Sequence, residues 1–338
     1  MEATSTRLPQ PAAGQADLPV VVDGMGGDHA PGEVVAGVRA ARDVGIEVLL
    51  AGRSAQMGAD DLPVLEAAEV VAMDEEPGQA IRRKKDSSLV RAAEAVRDGR
   101  ALGMVSAGNT GATMAAALLR MGRLPGVARP AIATTLPVPG SVPTVLLDSG
   151  ANSECMASWL VQFAQMGTVF SRLRYGVERP RVGLLSIGEE PGKGTPLVKE
   201  AHALLSKAAG VNFLGNVEGR DLLTDDVEVV VTDGFTGNVV LKTLEGSLTF
   251  FVHATLKALS GPALSQEAKE SVLPAMAPLA AELDPETQGG AMLLGVDGLC
   301  VICHGSSSAR AITNGIRVTH DLAAAGMVDQ LRAAVRDS

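Results

Sequence analysis

The sequence predicts an α/β protein built on an open, mostly parallel β-sheet with helices on both faces. Short apolar, strand-like segments alternate with helix-like segments along most of the chain, which is the order that crossover helices require. Hydrophobic residues make up 46% of the 338 residues, chiefly Ala, Val and Leu, whereas aromatic residues contribute only 2%. This composition favours helices packed on buried parallel strands over an aromatic-rich β-sandwich.

Apolar runs predict the individual strands and helices, and capping residues, Pro and Gly indicate where helices begin and end. Pro31 fits the first turn of the first helix, Ser87 or Ser88 caps a later one, and Gly99 ends it. Strands are predicted over residues 18–23, 46–51, 68–73, 101–106, 144–147, 181–187, 227–232 and 293–302. Helices are predicted over residues 33–43 and 88–98, after the turns at 106–111 and 148–152, over about 196–207, and as a closing pair after residue 304.

Two segments depart from this alternation. Residues 1–18 are rich in Ala, Pro, Gln, Ser and Thr and predict a flexible tail. The rest of the chain, residues 19–338, is predicted to form a single α/β catalytic domain. Within that domain, residues 246–283 are apolar and contain no strand signal, so we expect a helical pair that projects from the sheet.

Charge and cysteine content narrow the class of protein. A net charge of −10 argues against nucleic-acid binding, and an acidic partner protein would need a local basic patch. Three sparse cysteines indicate a reducing cytoplasm. Cys300 and Cys303 have metal or redox spacing, but they lie in an apolar run without a second pair, so we interpret them as core residues. No segment approaches the ~20 apolar residues of a membrane span.

Three glycine-rich turns indicate an anion site. They read Ser106-Ala-Gly-Asn-Thr-Gly-Ala112, Asp233-Gly-Phe-Thr-Gly-Asn238 and His304-Gly-Ser-Ser-Ser-Ala-Arg310, and each stands where a strand passes into a helix. Glycine allows close approach of a ligand to the backbone, and a helix start offers free N–H groups. Because ligands bind beyond the carboxyl ends of parallel strands, we expect all of these loops at one edge of the sheet, around a phosphate or carboxylate.

Six motifs occur in an order that resembles one known family. They are Asp23-Gly-Met-Gly-Gly-Asp-His-Ala-Pro31, Ile81-Arg-Arg-Lys-Lys-Asp-Ser-Ser88, Ser106-Ala-Gly-Asn-Thr-Gly111, Leu147-Asp-Ser-Gly-Ala-Asn152, Asp233-Gly-Phe-Thr-Gly-Asn238 and His304-Gly-Ser-Ser-Ser-Ala-Arg-Ala-Ile312. Together they resemble the bacterial phosphate acyltransferases, which are acyl-acyl-carrier-protein:phosphate acyltransferases. The resemblance covers about residues 20–316, nearly the whole chain.

The resemblance implies a fold, a reaction and a set of partners. The implied fold is an α/β/α sheet like those of isopropylmalate dehydrogenase and phosphotransacetylase. The implied reaction transfers a long-chain fatty acyl group from acyl-carrier protein to inorganic phosphate, and the acyl phosphate feeds phospholipid synthesis. It also implies a homodimer that needs no cofactor or metal. The protein would be cytoplasmic and peripherally associated with the inner face of the plasma membrane, where a downstream acyltransferase would use its product.

The same resemblance assigns catalysis to Lys193 and Asn238. Lys193 would neutralise phosphate or polarise the carbonyl, and Asn238 would donate to the oxyanion; a solvated loop lysine and a helix cap are the alternatives. Asp23 and His29 are acid/base candidates, with loop ordering as the alternative. The expected phosphate- and substrate-binding residues are Gly26, Gly27, Asp28, Ser106, Gly108, Asn109, Thr110, Gly111, Asp148, Asn152, Asp233, Gly234, Thr236, Gly237, His304, Gly305, Ser306 and Ser307.

Two surfaces are expected to meet partners. The cationic run Arg82, Arg83, Lys84 and Lys85 is a candidate dock for the acidic carrier protein, and so is a second cluster containing Arg172 and Arg174. A solvated charged face is the alternative for the first run. On the helical pair, Phe250, Phe251 and Leu256 are expected to touch a membrane surface, unless they are buried between two subunits.

Three other functions compete with phosphate acyl transfer from a carrier protein. A short-chain phosphotransacetylase that uses acyl-coenzyme A would share the phosphate site but would need no carrier-protein patch. A non-catalytic anion-binding scaffold for lipid synthesis belongs to another class. A metal-dependent NAD dehydrogenase is suggested by fold analogy alone. No nucleotide motif supports it, since residues 24–32 lack a clean Gly-x-Gly-x-x-Gly and residues 188–195 lack the Walker order.

Overall fold

The computed structural model describes residues 18–261 and 265–336. Eleven strands of this part form one sheet. They are β1 (Val20–Asp23), β2 (Val48–Gly52), β3 (Val64–Glu66), β4 (Gly103–Ser106), β5 (Ala131–Leu136), β6 (Thr144–Leu147), β7 (Arg181–Leu185), β8 (Asn212–Val217), β9 (Val229–Val231), β10 (Ala291–Leu294) and β11 (Leu299–Ile302). Residues 1–17 of the predicted tail lie outside the described residues.

Helices cover both faces of this sheet, as the sequence predicts. They are α1 (Gly32–Asp43), α2 (Ser54–Met57), α3 (Pro77–Arg83), α4 (Ser88–Arg97), α5 (Thr110–Ala116), α6 (Ala157–Tyr175), α7 (Pro196–Leu205), α8 (Gly234–Ser260), α9 (Gln266–Leu283), α10 (Ala309–Ala324) and α11 (Met327–Arg336). A single π-helical turn (Ala117–Met121) continues α5.

The sheet changes direction in its middle. Its strand order is β3-β2-β1-β4-β11-β10-β5-β6-β9-β7-β8. The β11–β10, β10–β5 and β5–β6 pairs are antiparallel and all other pairs are parallel. The strands β6, β9, β7 and β8 therefore run opposite to β1, β2, β3, β4 and β11. The expectation that all glycine-rich loops share one edge is wrong, because the loops after β6, β7 and β9 follow strands of the opposite direction.

Both sets of strands nevertheless end at the same level. Leu146 of β6 pairs with Thr134 of β5, which places Leu147 level with Ala133. Ala133 pairs with Met292 of β10, and Met292 pairs in turn with Val301 of β11. The end of β6 at Leu147 is thus level with the end of β11 at Ile302, to within one residue. The carboxyl ends of the two halves approach this level from opposite sides, and the cleft described below opens there.

The strands that produce this reversal were difficult to predict from local pattern. The sequence predicts one strand over residues 293–302, but the structure divides it into β10 and β11. Gly295, with φ +91°, turns the chain between them. β5 was not predicted at all; its Thr-containing segment is short and lies between Pro130 and Pro137. β8 was missed as well.

The prediction of a strand over residues 68–73 is also wrong. Strand β3 lies earlier in the chain, and the predicted segment makes only one isolated bridge, between Glu69 and Ser87. Side chains satisfy its backbone instead: Lys84 Nζ donates to the Val70 carbonyl, and the Ala72 N–H donates to Glu75. These bonds hold residues 70–75 as a loop.

The core is divided between the two faces of the sheet. Val22 and Cys303 belong to one buried cluster, and Val21 and Cys300 belong to the other. Consecutive and odd-spaced strand residues point to opposite faces, which explains this division. Both cysteines are buried, as predicted, and burial raises the pKa of each thiol to about 12.

Helix α8 and helix α9 form the predicted projecting pair. α8 is longer than predicted, with 27 residues from Gly234, or about 40 Å. Its last buried residue is Leu241, and Leu244 still packs against the core, so about four turns extend beyond it. Across the described residues, no helix combines the length and hydrophobicity that crossing a membrane requires.

Candidate functional site

A buried carboxylate joins the loops after β1 and β4. Asp23 Oδ2 accepts a hydrogen bond from Ser106 Oγ at 2.8 Å, and Ser106 Oγ in turn accepts from the Gly108 N–H at 3.0 Å. Asp23 is only 1% exposed, and burial raises the pKa of its carboxyl group, although the bonds from serine hydroxyls and loop N–H groups oppose this shift. In this geometry Asp23 orders two loops and does not face open solvent.

Glycine is required where these loops touch. A Cβ atom on Gly26 would lie 2.3 Å from Asp23 Oδ2 and 2.8 Å from the Gly108 nitrogen. The adjoining Gly27 has φ +115°, and the next N–H, from Asp28, donates to the Gly305 carbonyl at 2.8 Å. The loops after β1, β4 and β11 therefore pack directly on one another, which unites three of the predicted motifs.

Helix α5 begins at this junction. Asn109 Oδ1 caps it by accepting from the Ala112 N–H, while Asn109 Nδ2 donates to the Met73 and Glu75 carbonyls. Because the first N–H groups of a helix have no intrahelical partner, those of Thr110 and Gly111 are available to a ligand. Pro77, at the start of α3, packs against Gly111 and brings that helix to the same place.

A second buried carboxylate organises the loop after β6. Asp148, 0% exposed, accepts from the N–H groups of Ile132, Gly150, Ala151 and Asn152 and from Asn152 Nδ2, at 2.7–3.1 Å. Burial raises the pKa of Asp148, and these bonds to its charged form oppose the shift. All five donors are consumed inside the protein, so Asp148 and Asn152 shape the loop and do not present free groups to a ligand.

The start of α8 packs on this loop with no space for side chains. A Cβ atom on Gly237 would lie 1.9 Å from the Asp148 carbonyl oxygen, and one on Gly234 would lie 2.5 Å from the Asn152 oxygen. The Asp233 carboxylate caps the helix through the Thr236 N–H and hydroxyl, both at 2.8 Å. Asp233, Gly234, Thr236 and Gly237 thereby fix the position of Asn238, one residue further on.

Asn238 faces the cleft between the two halves of the sheet. This central cleft has a volume of about 210 Å³. Its walls come from both sets of loops, together with β5, β10 and α8; among them are Gly108, Thr110, Thr134, Thr135, Ser149, Asn238, Leu241, Lys242, Glu245, Pro285, His304 and Gly305. The Asn238 amide makes no hydrogen bond with any described residue, so its donors are free.

The cleft also contains three ionisable side chains, one of which is a carboxylate that contacts the other two. Glu245 bridges Lys242 Nζ at 2.8 Å and His304 Nε2 at 3.4 Å. The hydrogen bond from His304, followed by that from Lys242, holds the pKa of Glu245 below its ordinary value. Lys242, Glu245 and Ser149 were not predicted as site residues. Lys242 and Glu245 lie four and seven residues after Asn238, a helical spacing that could have suggested them.

Carboxylates bond the first N–H groups of the helix that follows the third glycine turn. The Ala309 N–H donates to Glu33 Oε2 at 2.6 Å, and the Ser308 N–H and hydroxyl donate to Glu286. Two carboxylates therefore occupy the position that the sequence analysis assigned to an anion. Ser306 and Ser307 line an adjoining side cavity of about 290 Å³. It shares Glu245, Pro285, Gly290, Cys303 and His304 with the central cleft.

Besides the buried Asp23, two predicted catalytic residues lie outside the cleft wall. Lys193 is exposed in the loop after β7, where its N–H donates to the Glu190 carbonyl. Since β7 and β9 are neighbouring parallel strands, this loop is next to the turn that leads to Asn238. His29 is exposed at the start of α1, and within the described chain only its carbonyl has a hydrogen-bond partner, the Glu33 N–H.

The two basic clusters lie on different parts of the fold, and only one of them is beside the cleft. Arg82, Arg83 and Lys85 are exposed at the end of α3, which packs against α5. Lys84 is held by Glu75 and by the Val70 carbonyl. Arg172 bonds Gln330 near the β8 edge, and Arg174 stacks over Tyr175. The α3 cluster is therefore the one beside the cleft.

Comparison with known proteins gives one family. The model of the fatty acid synthesis protein family matches residues 18–330. A phosphate acyltransferase from Heliobacterium modesticaldum is 45% identical over 330 residues, covering 94% of this chain and 96% of its own length. Another from Anaeromyxobacter sp. (strain K) is 46% identical over 330 residues, covering 95% of this chain and 91% of its own.

Solved structures agree on the fold. A phosphotransacetylase from Streptococcus pyogenes superposes with a TM-score of 0.62 at 17% identity, covering 90% of this chain and 94% of its own. A branched-chain phosphotransacylase from Enterococcus faecalis V583 gives 0.61 at 15% identity, with 90% and 99% coverage. These likenesses concern the fold, whereas the sequence matches define the family. The chain belongs to the phosphate acyltransferases, within the fatty acid synthesis protein family.

Proposed function

We propose that this acyltransferase moves a long-chain fatty acyl group from acyl-carrier protein to inorganic phosphate in the central cleft. The observation that carries the proposal is the convergence, in one cavity, of the α5 start, the unbonded Asn238 amide and the side chains of Lys242 and His304. N–H groups and a lysine ammonium group suit a phosphate dianion. The family membership supports phosphate as the acceptor.

The reaction needs positioning and charge stabilisation more than covalent catalysis. A phosphate oxygen attacks the thioester carbonyl carbon, the C–S bond breaks, and the proton lost by phosphate leaves with the thiol. The α5 N–H groups and Lys242 would hold phosphate, while the Asn238 amide would donate to the developing oxyanion. His304, held by Glu245, is in reach of the same space and would carry the proton.

We assign Lys193 a role on a neighbouring loop. Because it is exposed beside the turn that leads to Asn238, its long side chain is free to contact the phosphate or the carrier-bound thioester. Asp23, Asp148 and Asp233 position loops in this scheme. His29 stays a weaker acid/base candidate, since no described side chain orients its ring.

For the carrier protein, we propose docking on the exposed cations of α3. Arg82, Arg83 and Lys85 lie on a helix that contacts α5, whose first turn lines the cleft. A carrier protein bound there would have its thioester near the reaction site. Because the chain carries a net charge of −10, attraction of an acidic partner depends on such a local patch.

Helix α8 supports two further proposals, a subunit contact and a membrane contact. Near the sheet, Phe235 and Val239 are 66% and 51% exposed; on the projecting part, Phe250 and Phe251 are 74% and 62% exposed. Exposed apolar clusters of this kind mark interaction surfaces. We propose that the first pair joins two subunits and that the second, with Leu256, rests on the inner face of the plasma membrane, where a downstream acyltransferase would take the acyl phosphate.

The proposed reaction is tested by its products. Incubating the purified protein with palmitoyl-carrier protein and phosphate should give palmitoyl phosphate and free carrier protein, identified by mass spectrometry. Palmitoyl-coenzyme A should be a much poorer donor, and omission of phosphate should stop turnover. Equal turnover of a short-chain acyl-coenzyme A would favour the phosphotransacetylase alternative, and the absence of any acyl phosphate would favour the non-catalytic scaffold.

Removing the proposed catalytic donors should lower turnover without unfolding the protein. Asn238→Ala should reduce kcat about 100-fold, as expected for loss of one oxyanion donor. Lys193→Ala and Lys242→Ala should each lose most activity, with Lys242→Ala also raising the KM for phosphate. All three side chains are exposed, so thermal unfolding should stay near wild type. Lys199→Ala, on the exposed side of α7, is the matched control; wild-type kcat in a catalytic variant would remove that residue from the mechanism.

Reversing the α3 charges should weaken carrier-protein binding. Arg82→Glu with Arg83→Glu should raise the KM for acyl-carrier protein about tenfold at low salt, and the difference should shrink as salt screens the charges. The same reversal at Arg172 and Arg174 serves as the control and should change KM little. If the control alone raises KM, the carrier protein docks near the β8 edge.

Two assays should distinguish the roles of the two apolar pairs on α8. Phe250→Glu with Phe251→Glu should abolish flotation with liposomes that contain anionic lipid, yet leave a dimer in sedimentation equilibrium. Phe235→Glu should yield a monomer instead. A monomeric Phe250→Glu/Phe251→Glu variant would show that the projecting pair forms the subunit contact.

A further inference from the structure

A second, apolar cavity opens directly from the central cleft. It has a volume of about 310 Å³ and lies between the end of β5 and the two projecting helices. It shares Thr134, Thr135, Leu241, Glu245 and Pro285 with the cleft. A molecule in the cleft therefore has a continuous path into it. We call this cavity the apolar groove.

The lining of the groove is mostly apolar beyond its mouth. There α8 contributes Leu244, Leu248 and Val252, a run with helical spacing that continues from Leu241. The opposite walls come from Leu136 and Pro137 at the end of β5, and from Ala280 and Leu283 on α9. The polar members of this part of the lining are Thr249, His253 and Asp284. A ligand that fits this lining has a polar head at the cleft and an unbranched or lightly branched hydrocarbon tail.

The dimensions suit a fatty chain. From Leu241 to Val252 the helix rises about 16 Å. The fatty chains of one bilayer leaflet span about half of the ~30 Å hydrocarbon core, which is a similar length. The groove volume falls at the lower end of the range for small-molecule sites. Leu256, one turn beyond Val252, is 42% exposed and extends the apolar stripe toward the tip of the helical pair.

We propose that the apolar groove binds the alkyl chain of the acyl donor, with the thioester carbonyl at Asn238 and the chain running between α8 and α9. This inference rests on the proposed function and adds a specificity determinant to it. Val252 and Ala280 face the far part of the groove from opposite helices, so their side-chain volumes set the length of chain that fits. The walls of the groove would also keep water from the chain while the acyl phosphate forms.

The experiment blocks the far part of the groove and measures chain-length preference. For the full-length protein, kcat/KM is determined with octanoyl- and hexadecanoyl-carrier protein. Val252→Trp should lower the hexadecanoyl-to-octanoyl ratio about tenfold, the change expected when roughly two methylenes lose their burial. Ala280→Trp, from the facing helix, should do the same. Ala254→Trp, on the exposed side of α8 two residues from Val252, should leave the ratio unchanged.

A binding measurement separates this inference from the reaction itself. The fluorescent fatty acid cis-parinaric acid should bind the wild type and the Ala254→Trp variant, and should bind Val252→Trp and Ala280→Trp at least tenfold more weakly. If both groove variants keep the wild-type ratio and affinity, the chain binds elsewhere, whether or not acyl phosphate is formed. If wild type forms no acyl phosphate but the affinities change as expected, the proposed reaction fails and the groove stands.

Discussion

The reversal of strand direction at β10 and β5 is the constraint on which the site depends. Antiparallel pairing from β11 through β10 and β5 to β6 makes two parallel half-sheets end at the same level from opposite sides. In an open sheet of one direction, ligands bind beyond a single carboxyl edge. Here the loops of both halves reach one cleft, so groups from β4, β6, β9 and β11 line the same cavity.

Buried carboxylates hold these loops in place. Asp23 and Asp148 each take hydrogen bonds from loop donors at almost no exposure, and the raised pKa of each records the cost of removing a charge from water. Loss of such a group would leave several buried N–H groups without partners. The close glycine contacts at Gly26 and Gly237 act with them, since no larger residue fits between the loops. Rigid loops suit the reaction that we propose, which has no covalent intermediate, because its rate would depend on how well the reactants are positioned.

The same cleft joins a polar region to an apolar one. Lys242 and Glu245 provide charge, and His304 provides an imidazole ring, on the side of the glycine turns. The projecting helices provide the mostly apolar groove on the other side. Glu245 lines both cavities and keeps two cationic or ionisable partners in fixed positions. In the reaction that we propose, phosphate and the fatty thioester would bind at these adjoining surfaces. The projecting pair then continues to the exposed Phe250 and Phe251.

The amino-acid sequence by itself determined the class of fold, most helix positions, the core role of Cys300 and Cys303, and the motifs around the cleft. These features depend on local signals: apolar periodicity, glycine at tight turns and caps such as Ser87. Only the tertiary structure decided the reversal of the sheet, the closing of the α10 start by Glu33 and Glu286, and the burial of Asp148 behind the cleft wall. It also brought together Glu245 and His304, which are 59 residues apart. Such pairings arise from contacts between distant segments, and no local pattern specifies them because each partner alone is compatible with a solvated surface.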